Sequence, residues 1–532
     1  MGADLILYNG SVRTMDPACP TAQAVAVAGK RILAVGKNEE VLSLAGPGVR
    51  LLDLGGCSLL PGFEDAHLHL CSHGLALTQV DLGEARSLEE ALARLERQAA
   101  KRPAGAWLRG RGWNHNSWPK PVQPTRYDLD RVVGERPVAL VSKDGHALWV
   151  NSAVLRLAGI SRHTPDPPGG EILRDASGEP NGILTEKAQA LIWRHVPEPD
   201  AEAMEAAARA ALADAARHGI TALHNCEGPA ALAALRRLQE ADALTARVWH
   251  MIPMEYLDQA RALGLRSGFG DEMLRLGHIK MFADGALGSG TAEMLAPYED
   301  WPDRRGVAAT SSAELWEAIV ASLRAGLAPA IHAIGDAANR RVLDLYARAY
   351  EKGLLAALPH GLRPRIEHAQ LLTPEDIPRL GQLGVVASMQ PIHATQDMAM
   401  ADLHWGKRAR WGYAWRSLLE RGAILAFGSD CPVETLDPLA GLYAAVTRRR
   451  ADGTPPGGWY PEEALTLDQA LEAYTRGSAR ACGQLASRGS LAPGKLADLV
   501  VLSRDLYAGP AEAWPDIKVR LTLVGGRIVW ES

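Results

Sequence analysis

The chain has 532 residues and a mass of 57.0 kDa, more than one ordinary domain requires, and its 47% apolar composition is ample for a large core. A net charge of −5 and a pI near 6.4 argue against a nucleic-acid or anionic-membrane partner. No run approaches the roughly 20 apolar residues of a spanning helix, and six scattered cysteines without a CxxC pair suggest neither a zinc knuckle nor a disulfide framework. The N-terminus lacks a basic stretch followed by an apolar core, so the expected compartment is the reducing cytoplasm, and the expected partner is a small-molecule substrate.

Asp4 to Met15, Ala22 to Gly36 and Val49 to Leu60 are short alternating or β-branched runs. Asn9-Gly10 and Gly29-Lys30 between them are hairpin signals. Leu496 to Leu502 and Val519 to Trp530, broken by Gly525-Gly526, repeat the pattern at the other end. Neither end alone has enough strands to bury a core, so residues 1–60 and 485–532 are expected to form one small β-sandwich without chemistry of its own.

The apolar run Cys57 to Ala66 reads as a buried strand that opens onto His67, Leu68 and His69. Side chains at i and i+2 share a strand face, so both imidazoles can reach one ion. A lone histidine is more often a packed one, and the pair needs partners to become a metal site.

About 130 residues, from Cys71 to Asp200, separate this strand from the next. That length forbids a simple loop, and residues 71–200 are expected to form an inserted subdomain, either a lid that excludes water or an oligomer contact. Within it Trp113 and Trp118 line an apolar pocket or else belong to the insert's core, and His146 is a polar candidate for substrate contact.

From residue 201 onward helices and strands alternate, as in a right-handed parallel β/α arrangement. Glu202 to His218 reads as a helix capped by Asp200 and ended by Gly219, and another helix starts at the capping box of Ser311 and Glu314. A third runs from about Asp336 to Gly353. Eight strand ends follow in order: His69, His224, Met251, Lys280, His332, His368, Gln390 and Asp430. The architecture expected is a (β/α)8 barrel over residues 61–70 and 201–484, with its polar strand ends gathered on the C-terminal face where such sites lie.

Lys280 stands among Ile279, Met281 and Phe282. A buried amine either finds an acid, here Asp284 or Glu293, or loses its proton. A neutral amine can take up carbon dioxide as a carbamate and so act as a carboxylate ligand. Asp430 is expected to be catalytic, the alternative being a cap on the helix that follows Pro432. Asp284, Gln390 and His393 are further polar candidates for substrate contact at the mouth, with His224 and Asn225 beside them.

The segments PGFEDAHLHL, IKMFADGALGSGTA, IHAIGD, RIEHAQ and FGSDCPVETLDP, in this order, resemble the amidohydrolase superfamily. GWNHNSWP, DGHALWVNSAVL and GEPNGILTE extend the likeness to its amidohydrolase-3 group, which includes N-substituted formamide deformylases, from about residue 4 to 530. The resemblance implies that His67 and His69 hold a first ion, that carbamylated Lys280 bridges, and that His332 and His368 hold a second; a single ion is the alternative. Imidazole and oxygen donors suit Zn²⁺, with iron, manganese and nickel fitting similar sets. Metal-activated hydroxide would attack an amide carbonyl, with Asp430 taking the water's proton and giving it to the departing nitrogen. By position in the family-like segments, His146 or His393 would stabilise the oxyanion. Gly290 stands where many relatives carry arginine, so no arginine contact is expected there.

The expected reaction is hydrolysis of a C–N bond, of an N-substituted formamide or a small N-acyl amine. A deaminase of an aminated heterocycle is the alternative enzyme. A non-catalytic barrel is disfavoured because every ligand position is filled. Barrels of this size often pair, which makes a homodimer the assembly to look for.

Overall fold

The computed structural model describes residues 2–83, 85–101, 105–115, 118–119, 122–142, 145, 147–359 and 361–532. The chain divides into two compact units, residues 1–73 with 204–532, and residues 74–203.

In the first unit eight strands form one parallel sheet: β1 (Phe63–Leu68), β2 (Ile220–Asn225), β3 (Arg247–Pro253), β4 (Leu274–Phe282), β5 (Pro329–Ala333), β6 (Arg365–His368), β7 (Val386–Met389) and β8 (Ile424–Phe427). They neighbour one another in chain order, as crossover helices dictate. Register sets Phe282 opposite His332 and Ala333 opposite His368, so successive C-terminal ends stand level. The seam between β8 and β1 is closed past the last strand: Asp430 N–H donates to the His67 carbonyl at 2.7 Å, and His69 N–H to the Cys431 carbonyl at 2.8 Å. Gly428 permits that approach, since a Cβ there would lie 2.5 Å from His67 N. An eight-stranded barrel is the result.

The helices between these strands form as their ends direct. Ala201–Arg217 begins where Asp200 Oδ1 accepts from Ala203 N–H at 2.8 Å and stops before Gly219, whose φ of 76° suits glycine. Ser312–Arg324 opens with reciprocal bonds between Ser311 and Glu314. Their apolar faces cover the strands, with Leu212, Ala215, Leu315, Ile319 and Leu323 all buried.

Both chain ends build a sandwich in the same unit. One sheet orders Arg31–Gly36, Ala24–Ala28, Leu5–Tyr8 and Arg50–Asp53; the other orders Arg527–Glu531, Val519–Val524, Leu499–Leu502, Ser58–Pro61, Ser11–Arg13 and Thr21–Ala22. Leu7, Val25, Leu499 and Leu523 meet between them. Gly525 and Gly526, at φ 55° and 73°, make the two-residue hairpin turn that their sequence signals. Asn9-Gly10 does not. Leu5–Tyr8 and Ser11–Arg13 enter different sheets, and this dipeptide is the corner between them, with Asn9 left-handed at φ 56° and Gly10 packed so that a Cβ would lie 2.7 Å from Leu54 Cδ1.

The second unit has its own six-stranded sheet, ordered Gly170–Arg174, Pro180–Glu186, Ala147–Val150, Val138–Ser142, Leu108–Trp113 and Val80–Asp81. Helix Leu88–Ala99 packs on it through Leu92 and Leu95. Trp113 and Trp118 are core residues of this unit: their indole N–H groups donate to the carbonyls of Leu140 at 2.9 Å and Ala85 at 3.0 Å. Both indoles are buried in that core. Among the described residues no helix is long and apolar enough to cross a membrane.

Candidate metal centre

The C-terminal ends of five barrel strands converge on one buried cluster. Atoms of His67, His368 and Asp430 that can bind a cation all lie within 4.8 Å of one another. His332 joins it with its ring 4.5 Å from that of His368, and His393 with its ring stacked on His368 at 6.1 Å. Asp430 sits between the histidines: Oδ1 is 3.3 Å from His69 Nε2 and 3.5 Å from His67 Nε2, and Oδ2 is 3.7 Å from His393 Nε2. The His69 side chain, 32% exposed, is the member that meets solvent.

The backbone is turned to achieve this. His368 and Asp430 have φ of 73° and 57°, a region that costs non-glycine residues about 1–3 kcal/mol and gathers at functional sites. Asp65 helps hold the turn, its Oδ1 accepting from the N–H groups of His67 at 3.0 Å and Ser429 at 3.1 Å.

Three of the imidazoles each have one nitrogen committed, which assigns the tautomer. His67 Nδ1 is 2.6 Å from Glu367 Oε2, and His368 Nδ1 is 2.8 Å from Gln390 Oε1; both rings keep Nε2 free of a proton. His332 Nε2 is 2.9 Å from the Gly285 carbonyl, leaving Nδ1 as its lone pair. Burial, with the charge of Lys280, draws the pKa of His332 down to about 3, and burial holds those of His67 and His368 below the usual range. Neutral rings with bare nitrogens are the form that ligates.

Burial would raise the pKa of Asp430, but with the hydrogen bond from His69 the carboxyl is held well below the usual carboxylate range. Glu367 is likewise pushed up by burial and pulled lower by the Arg365 guanidinium, then by His67. Arg365 Nε meets Glu367 Oε1 at 2.5 Å, and Nη2 also donates to the Ala66 carbonyl at 2.5 Å and to Ser388 Oγ at 2.6 Å.

Lys280 Nζ is buried with no hydrogen-bond partner, 4.6 Å from the centre of the Phe282 ring. The acids that might have paired with it are engaged elsewhere. Asp284 accepts from the N–H groups of Glu293, Ile334 and Gly335 at 2.8–3.0 Å, and Glu293 pairs with Arg341 at 2.7 Å. An orphaned amine beside bare imidazole nitrogens and a carboxylate fits a cation site that takes a modified lysine.

The remaining candidates fall into other places. Asp284, 2% exposed, ties the loops after β4 and β5 together, and Gln390, 1% exposed, stands behind His368. His393 remains beside Asp430. His146 lies outside the described residues. Asn225 joins Leu70 N–H to His250. At Gly290, φ is 63° and a Cβ would meet the Trp301 ring at 2.5 Å, which explains why no larger side chain stands there. Glu367 and Arg365 were not foreseen as site residues; the signal was two charges at i and i+2 in a buried strand.

A second buried group, Glu64, His224 and Cys482, also lies within ligating distance. His224 Nδ1 accepts from Arg365 Nη1 at 2.8 Å, so the ring's proton is on Nε2. Arg488 contacts both Glu64 and Cys482 at 3.0 Å. A cation would face two guanidinium groups and a protonated nitrogen, and the donor set does not fit one.

The amidohydrolase family model matches residues 50–530. The Bacillus subtilis protein YtcJ, named as an amidohydrolase, is 34% identical over 99% of both chains. The N-substituted formamide deformylase of Arthrobacter pascens is 31% identical over 99% of this chain and 98% of that protein. Among solved structures, an uncharacterized metal-dependent hydrolase from Pyrococcus horikoshii OT3 has 28% identity and a TM-score of 0.79, covering 95% of this chain and 99% of its own.

Proposed function

The chain belongs to the amidohydrolase family, and from that premise we propose that it uses a divalent cation to hydrolyse the amide of an N-substituted formamide or a small N-acyl amine. The observation that carries this reading is Asp430, bracketed by His67, His69 and His393 within 3.3–3.7 Å. The formamide preference is supported by the deformylase relative.

His67, His69, His332, His368 and Lys280 as its carbamate would hold the ion, zinc by the chemistry of nitrogen and oxygen donors. The cation would supply Lewis acidity to the amide carbonyl and favour hydroxide as nucleophile near neutral pH. Asp430, kept ionised by the hydrogen bond from His69, accepts the proton of the attacking water and delivers it to the amine nitrogen as the C–N bond breaks. Glu367 fixes the His67 ring through Nδ1, and Gln390 fixes His368 in the same way.

Deamination would call for a glutamate free to carry protons beside a cluster histidine. Glu367 is spent on Arg365 and His67, which favours amide hydrolysis. The test is mass spectrometry of products from the zinc-loaded protein with N-alkyl and N-aryl formamides, N-acetyl amines and aminated heterocycles. Formate or another carboxylate with free amine supports the proposal. Ammonia as the product from a heterocycle, or no turnover of any amide, overturns it.

A further inference from the structure

Among the described residues of the inserted unit, one guanidinium stands without an acid. Arg109, on the strand Leu108–Trp113, has its Nε buried with no hydrogen-bond partner. Its neighbours in the same unit are better provided: Arg94, Arg156, Arg162 and Arg174 each meet a carboxylate, and Arg136 donates to the carbonyls of Ala99 and Ala106. Burial lowers the pKa of Arg109 and no acid acts against it. The contact it does make is with the Trp193 ring, whose centre is 5.8 Å from Cζ, at the limit of a cation–π interaction.

Arg109 lines a cavity of about 150 Å³ within this unit. Trp107, Leu108 and Pro199 supply apolar wall, and Gln79 and Gln98 supply side-chain amides. One N–H of the Gln98 amide is given to the Thr78 carbonyl at 2.8 Å, and the charged donor among the described lining residues is the guanidinium. Arg109 is half-buried, with its Nε shut away from water and unpartnered, and the fork of an arginine matches a planar carboxylate. A phosphate dianion would call for a second cation, and among the described lining residues there is none.

We propose that this cavity binds a small organic monocarboxylate, its carboxylate on Arg109 and its apolar part against Trp107. The site is independent of the hydrolytic reading, since it lies on other residues and requires no cation.

The test is calorimetric titration of the full chain, stripped of metal and held at constant ionic strength, with acetate, propionate, butyrate and benzoate. Propionamide serves as the uncharged shape control and inorganic phosphate as the competing anion. Saturable binding of a carboxylate, none of propionamide, and a loss of at least about tenfold in Arg109→Gln with partial recovery in Arg109→Lys are expected from a charge-assisted contact. Without ligand, Arg109→Met should melt no lower than the wild type, because it removes an unpaired charge. Equal binding by Arg109→Gln, tighter binding of phosphate than of every carboxylate, no saturable binding at all, or a sharp fall in Tm for Arg109→Met would overturn the proposal.

Discussion

Glu367 Oε2 lies 2.6 Å from His67 Nδ1, joining a barrel-interior carboxylate on β6 to the first histidine of the cluster on β1. The contact fixes which nitrogen of His67 is bare, and Arg365 keeps the acceptor charged. Glu367→Gln should fold less stably, because it leaves the buried Arg365 guanidinium without its carboxylate, and should weaken cation binding by about ten- to a hundredfold, the usual cost of losing such a support. Competition with a chelator measures it. An unchanged affinity would show that Glu367 does not orient the ligand.

His67→Ala and Lys280→Ala should lose bound metal, whereas Asp430→Asn should retain it and lose turnover by a factor of about 10²–10⁴, the range of general acid–base catalysis. Metal content by elemental analysis, read beside kcat, separates the two outcomes. Full activity in Asp430→Asn would refute its role in moving the proton.

Asp284 accepts three backbone N–H groups at once. An asparagine presents a single acceptor oxygen and sets its NH₂ against an N–H. With charged hydrogen bonds contributing about 1.5–3 kcal/mol each, Asp284→Asn should lose roughly 2–4 kcal/mol in urea unfolding above pH 7, where the carboxyl, its pKa pushed up by burial to about 7, is ionised. Activity should fall with it, because Gly285, whose carbonyl meets His332, belongs to the loop that Asp284 ties down.

His250 is buried and accepts from Asn225 Nδ2 at 3.1 Å, and burial lowers its pKa from 6.5 to about 4. Its contribution to stability is therefore complete above pH 6.5 and is lost as pH falls towards 4, where the unfolded chain takes up a proton that the folded one refuses. The slope is about 1.4 kcal/mol per pH unit. Urea unfolding of the metal-free protein at pH 7.5, 6 and 5 should show wild type losing that much more per unit than His250→Gln below pH 6.5. Parallel curves would exclude the assignment.

The barrel was legible because strands buried on both faces are continuous apolar runs, and the residue that ends each run is conspicuous when polar. His69, Lys280, His332, His368 and Asp430 stand out in this way. The supporting residues do not. Alternation along β6 places Glu367 and His368 on opposite faces, yet the φ of 73° at His368 turns its ring so that both serve the same cluster. A dihedral of that kind leaves no mark in a one-dimensional pattern. Asn9-Gly10 failed for a related reason: a dipeptide suited to a left-handed turn serves a corner between two sheets as well as a hairpin, and only the partners of the flanking strands decide.

The seam between β8 and β1 is sealed by Asp430 N–H on the His67 carbonyl and His69 N–H on the Cys431 carbonyl. The hoop of the barrel is thus fastened by four residues, three of which also gather the cluster, so a chain whose ring of strands had not yet shut would have no place for the ion. Metal uptake during refolding would then time the joining of residues more than 360 positions apart. A colorimetric chelator could follow that late step of folding without any substrate.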